Sequence, residues 1–241
     1  ATKDATLTDA GILVRDYAER LLRLSEEAET AVKDLRDLRR GRVLLGANEA
    51  SVHATLPLIQ QFRTAYPLVH VDVRRVPASQ IGAEVAQGSL DFGVLTFQPA
   101  EPRLETIVLG QDELVMLVHP EHELAKVQAV TLSECARQTV IAHNDPSHVR
   151  DRVLRLFEQH NIPARILVSL PSLEGIKRAV AMRMGVALLP RRCAESEIAR
   201  GELVALDMPD IRLRRQVRLV YRSVTKRSHA SAAFLSIVEG Q

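Results

Sequence analysis

Arg42-Val-Leu-Leu-Gly-Ala47, Val69-His-Val-Asp-Val73 and Leu90-Asp-Phe-Gly-Val-Leu95 are three short apolar runs in the first half of the chain. The first reads as a buried strand, and the second alternates Val69, Val71 and Val73 with polar residues. Between them, Ser51 to Tyr66 reads as a helix with Leu56, Ile59 and Phe62 on one face, broken by Pro67. Before the third run, Ser79 is the expected N-cap of a helix carrying Ile81, Val85 and Ala86 and closed by Gly88. Strand, helix, strand, helix, strand implies crossover connections and a parallel sheet.

The same alternation returns downstream. Thr139–Ala142 is strand-like, and 146–160 is helix-like with Val149, Val153, Leu156 and Phe157 inward. The strand Arg165–Ser169, a helix from Ser172 to Met184 and the strand Val186–Pro190 complete the copy. Two longer segments bridge the copies. Glu105–His119 holds Leu114-Val-Met-Leu-Val118, and 211–222 alternates Ile211, Leu213, Val217, Leu219 and Tyr221 with arginines. One strand going out and one returning would make a two-stranded hinge. The last helix, His229–Val238 with Ala233, Phe234 and Ile237 inward, then rejoins the first lobe. The expected fold is α/β, two Rossmann-like lobes joined by two crossover strands, with a cleft where the strand ends converge.

The first forty residues are a separate object. Ala10, Val14, Tyr17, Leu21, Leu24, Ala28, Ala31, Leu35 and Leu38 recur in steps that alternate four and three. That is a heptad seam, narrower than the stripe of an ordinary surface helix, and it predicts a long coiled-coil linker helix. Val14, Tyr17, Leu21, Leu24, Leu35 and Leu38 are its expected dimerisation contacts. Thr8 is the expected N-cap, and Arg39, Arg40 and Gly41 the expected cationic, left-handed stop. A long helix packed on its own domain is the alternative. The expected units are 1–41 as linker and dimerisation helix, 42–117 with 219–241 as the first lobe, and 118–218 as the second.

Composition bounds the function. The 241 residues carry Lys+Arg 32 against Asp+Glu 30, so no polyelectrolyte character announces nucleic acid. Five Phe, three Tyr and no Trp give few platforms for stacking bases. Cys135 and Cys193 cannot build a disulfide framework, which fits a reducing cytoplasm. No apolar run reaches the roughly 18 residues of a membrane span, and the polar opening has no signal-peptide core. A soluble cytoplasmic protein with no membrane partner is the expectation.

The motifs Leu7-Thr-Asp-Ala-Gly11, Gly41-Arg-Val-Leu-Leu-Gly46, Leu56-Pro57 with Phe62 and Tyr66-Pro67, Gly88-Ser-Leu-Asp91, Leu114-Val-Met-Leu-Val-His-Pro120 and Met184-Gly-Val-Ala-Leu-Leu-Pro190 follow one another along nearly the whole chain. In that order and spacing the sequence resembles a LysR-type transcriptional regulator from the end of its DNA-binding domain onward. The resemblance implies a periplasmic-binding-protein-like regulatory part with a small-molecule effector between its lobes, an organic acid or other small metabolite. It implies linker helices that pair into a homodimer, with assembly into a tetramer common, and promoter DNA bound through an N-terminal winged helix-turn-helix that these residues lack.

Candidate effector contacts follow from both readings. Asn48 and Ser51 leave the first strand for a helix, where unpaired N–H groups suit an anion, and they match positions that often contact the effector in the family. Ser79 and Gln80 open the second helix, and Thr96 ends the strand where the family often places a hydroxyl. Across the cleft, Asn144 and Ser147 open one helix and Ser172 another. Each small polar residue has a plain reading as an N-cap. Glu49 and Asp145 would repel an anion unless they face away, and would suit a ligand with a cationic group.

No catalytic residue, cofactor site or metal site is expected. His119, His122, His143 and His148 lack a third ligand at metal-binding spacing. Gly-x-x-x-x-Gly-Lys, Gly-x-Ser-x-Gly and His-Glu-x-x-His are all missing. The basic series Arg212, Arg214, Arg215, Arg218, Arg222, Lys226 and Arg227 reads as the outer face of a strand, where charge also protects an edge from pairing. Ligand-gated transcription control is the leading reading. A periplasmic-type solute-binding protein and an enzyme on the same two-lobed fold are the alternatives.

Overall fold

The computed structural model describes residues 8–38, 40–144, 148–163, 165–209, 214–223 and 227–240. The elements run α1 (Asp9–Arg36), β1 (Arg42–Ala47), α2 (Leu56–Ala65), β2 (His70–Arg75), α3 (Ala78–Gln87), β3 (Phe92–Leu95), β4 (Leu104–Val118) and α4 (Leu132–Ala136). They continue as β5 (Val140–His143), α5 (His148–Gln159), β6 (Ile166–Leu170), α6 (Leu173–Ala181), β7 (Ala187–Pro190), α7 (Glu195–Ala199), β8 (Val204–Leu206), β9 (Arg214–Arg222) and α8 (His229–Glu239).

The sheet is mixed, in the order β2-β1-β3-β9-β4-β7, with β8 also on β4. β1 pairs in parallel with β2 and β3, as crossover helices require, and β9 runs antiparallel between β3 and β4. β5 and β6 form a second parallel pair, and a parallel bridge from Val140 to Val186 joins it to the β7 segment. β4 is the common element. Its first part, to Glu113, pairs with β9, and Leu114 to Val118 pair with β7 and β8. Gly185 permits the close approach of the two segments: it has φ +158, and a Cβ there would lie 2.3 Å from the Thr139 carbonyl oxygen.

Strand parity sorts the cores, because successive side chains point to opposite faces. In the first lobe Val43, Leu45, Phe92, Val94, Leu219 and Tyr221 share one core with Phe62 of α2 and Phe234 of α8. Leu44, Leu95 and Val220 face the other way, onto Ile81 and Val85 of α3. The second lobe repeats the scheme. Leu114, Met116 and Val118 pack with Val140 and Phe157, while Val115 and Leu117 pack with Ile141 and Ile176. Each lobe is a sheet with helices on both faces, an α/β architecture.

Several expectations change. The segment after Ser51 begins as a 3-10 turn, Val52–Ala54, and α2 starts only at Leu56. Leu58 and Phe62 are its buried residues and Leu56 is exposed. α3 is capped by Pro77 and starts at Ala78, so Ser79 lies inside its first turn, while Gly88 closes it in the left-handed conformation at φ 84. β9 is interior to the sheet, so its arginines protect no edge. The side chains of Val149, Val153 and Leu156, and the whole of Ile211, Arg212, Leu213 and Lys226, fall outside what is described.

α1 is capped at Thr8, whose hydroxyl oxygen accepts from Gly11 N–H. It ends at Arg36, and Leu38 rather than Gly41 makes the first left-handed turn, at φ 57. Val14, Tyr17, Leu21, Leu24 and Leu35 are exposed, as are Leu13, Leu22 and Val32 outside the seam. Leu38 differs: it is half-buried against the first core. The side chains of Ala31 and Arg39 are among those not described. Among the described residues no helix is long and apolar enough to cross a membrane.

Candidate functional site

A cavity of about 570 Å³ lies between the lobes. The carboxyl ends of β1, β2 and β3 supply one wall through Asn48, Glu49, Arg75, Ser79, Thr96 and Phe97. The facing wall comes from β5, α5, α6 and β7, through His143, Arg150, Leu154, Leu173 and Pro190. Arg215 of β9 reaches it from the crossover. The position is the one favoured by open α/β sheets, outside the carboxyl ends of the strands.

Each loop is shaped by its own residues. Ser51 N–H donates to Asn48 Oδ1 at 2.8 Å, and Asn48 N–H donates to Ser51 Oγ at 3.1 Å, closing a tight turn after β1. Asn48 lines the cavity, whereas Ser51 is buried beneath it and is structural. Ser79 and Thr96 line the cavity as expected, but Gln80 does not. Asn144 is exposed outside it, and its N–H continues the β5–β6 ladder to the Leu170 carbonyl at 3.0 Å. Ser172 is a plain N-cap, its Oγ accepting from Gly175 N–H at 3.0 Å. Ser147 and Asp145 lie outside the described residues.

Glu49 faces in, contrary to what an anion site demanded. Its Oε1 accepts from Leu173 N–H at 2.9 Å, and its Oε2 lies 3.2 Å from His143 Nε2. A helix N-terminus and an imidazole therefore meet its charge, and its repulsion of an incoming anion is reduced accordingly. Arg75, Arg150 and Arg215 line the cavity without being among the expected contacts. Arg215 had a signal: it shares the parity of Val217, Leu219 and Tyr221, not that of Arg214, Arg218 and Arg222. Its Nη2 donates to Asp112 Oδ2 at 2.9 Å, with side chains 10% and 5% exposed. Arg75 carries the same kind of signal, sharing the parity of Val69, Val71 and Val73, whereas Arg150 lies in a helix with no motif for a site.

Both cysteines and two of the histidines are accounted for locally. Burial pushes the Cys135 thiol up to about 12, and burial together with the nearby Asp112 charge does the same for Cys193. Neither is a thiolate near neutrality. His119 and His122 each accept a backbone N–H through Nδ1, from Glu121 and Leu124, and so shape one turn.

Comparison with known proteins converges on one family. The LysR substrate binding domain family matches residues 36–241. A probable RuBisCO transcriptional regulator of Synechocystis is 29% identical over 240 residues, covering 97% of this chain and 70% of that protein. The regulatory domain of Synechocystis CcmR, solved in complex with 2-PG, superposes with a TM-score of 0.73 at 24% identity, covering 83% of this chain and 96% of that one. The effector-binding domain of QuiR, solved with shikimate, gives 0.69 at 23% identity, covering 83% and 95%. The two structures agree on the fold, which is the periplasmic-binding-protein-like one of LysR effector-binding domains. This chain belongs to the LysR substrate binding domain family and is the effector-binding domain of a LysR-type transcriptional regulator.

Proposed function

We propose that this domain senses an organic acid or other small metabolite in the interlobe cavity and passes that information on through its subunit arrangement. The observation that carries the reading is the cavity itself, large enough for a metabolite, with Asn48, Ser79 and Thr96 on one wall and Arg75, Arg150 and Arg215 around it. Guanidinium groups suit carboxylate or phosphate. CcmR and QuiR, complexed with 2-PG and shikimate, lend support by analogy.

In this reading 1–41 is the dimerisation arm, 42–113 with 217–241 the first lobe and 114–216 the second. The crossovers fall a little earlier than the expected 117 and 218, because Leu114 to Val118 pack in the second lobe's cores and Val217 in the first lobe's. The exposed Val14, Tyr17, Leu21, Leu24 and Leu35 of α1 pair with a second copy as a coiled coil, and dimers assemble further into a tetramer. A ligand that prefers one arrangement shifts its population, and the paired helices carry the change to promoter-bound winged helix-turn-helix heads. The setting is the cytoplasm, and the role is sensing, not catalysis or solute transport.

Native mass spectrometry of the purified chain should reveal a carried acid, and adding that acid should change the promoter footprint of the full-length regulator. A footprint unchanged by every compound that binds the cleft would sink the reading.

A further inference from the structure

Glu49 stands on the loop of the first lobe, yet both of its carboxylate oxygens are engaged by the second. Oε1 accepts from Leu173 N–H at 2.9 Å and Oε2 lies 3.2 Å from His143 Nε2. Leu173 is the first residue of α6, so its N–H has no partner inside the helix. The Ser172 hydroxyl already serves Gly175 N–H, leaving Leu173 N–H to an outside acceptor. The next residue fastens the same loop: Cys193 Sγ lies 3.7 Å from the Ala50 carbonyl oxygen, and Ala50 packs on the second lobe's core. Glu49, His143 and Leu173 all line the cavity, together with Arg75, Arg150 and Arg215.

We infer that Glu49 is a resident carboxylate: it ties the two lobes across the cleft through the head of α6 and His143, and an anionic ligand gains those donors by displacing it. The inference rests on the cleft being the effector site. The ability of these donors to hold an anion is seen directly, since they hold a carboxylate. An acid drawn in by the three arginines meets Glu49 at close range, and like charges cannot share one pair of donors. Either the ligand stays away from α6, or Glu49 leaves and the loop after β1 keeps only the Ala50 contacts to the second lobe. The second course links binding to lobe geometry through a single side chain, and it makes the displacement of Glu49 a fixed cost of affinity.

The test compares the ¹⁵N-labelled chain with Glu49→Ala and Glu49→Gln, using inorganic phosphate as the probe and amide shifts as the readout. In Glu49→Ala, phosphate should shift the Leu173 amide at concentrations about tenfold or more below those needed in the unaltered chain, the scale of one charge-assisted hydrogen bond. Glu49→Gln keeps an oxygen for Leu173 N–H without the charge and should fall between; it carries the test if Glu49→Ala does not fold. Equal concentrations in all three proteins would overturn the inference. So would phosphate shifts at Thr96 that never reach Leu173, an outcome that leaves the cleft reading standing. Shifts at no cleft amide in any protein would overturn the inference and count against the cleft reading as well.

Discussion

Asp112 on β4 and Arg215 on β9 are cross-strand partners in register, and their side chains meet at 2.9 Å with almost no exposure to water. The pair sits where the two strands pass from one lobe to the other, and its cation forms part of the cavity wall. Removing one partner strands a charge in the interior. Asp112→Ala should therefore cost about 3–5 kcal/mol of stability. Replacing both, as Asp112→Leu with Arg215→Met, should restore most of that while abolishing binding of acidic ligands. Thermal melts and ligand titrations check the two halves; a loss in the double variant equal to the sum of the two single losses would show that the residues are not coupled.

The exposed apolar side chains of α1 make a separate prediction. Leu21→Asp or Leu24→Asp places a charge at the centre of the heptad seam and should shift sedimentation from dimer towards monomer, leaving the melting of the two lobes unchanged. Unaltered sedimentation in both variants would remove the seam from the assembly.

How far the sequence carried the fold depends on the kind of signal. β1, β3 and β9 were legible because buried strands need β-branched and aliphatic runs, and Gly88 was legible because a left-handed helix end favours glycine. The site was less so. Asn48, Ser79 and Thr96 line the cavity because all three follow strand ends, a placement that topology predicts. Ser51 and Ser172 were chosen for the same chemistry but spend it on their own backbone, a local use that composition cannot distinguish from ligand binding. Arg75 and Arg150 come together only through tertiary packing of distant segments. Along the chain Glu49 reads as a charge that repels an anion or suits a cation, because its partners lie 94 and 124 residues away.

That distinction between local and ligand-facing hydroxyls can be measured. Ser172→Ala should cost about 1 kcal/mol of stability through the lost cap, with ligand affinity retained. Thr96→Val should do the reverse, weakening binding about tenfold at unchanged melting temperature if its hydroxyl donates to the ligand. Calorimetric titration beside thermal denaturation separates the two.

The thiols give a chemical test of burial. With Cys135 and Cys193 both raised to about 12, neither should react with an aromatic disulfide reagent at mildly alkaline pH in the folded protein. Both should react at once in denaturant. Rapid labelling of the native chain would contradict the packing described for the second lobe.

The antiparallel insertion of β9 between β3 and β4 also has a consequence for biosynthesis. β1, β2 and β3 emerge from the ribosome well before the strand that covers β3 and the helix that supplies Phe234. Until then the nascent first lobe carries an open strand edge and an uncovered aromatic face, the two features that recruit chaperones or promote aggregation. Premature termination anywhere before Arg214 removes an interior strand of the first sheet, so truncated products should be cleared as misfolded chains.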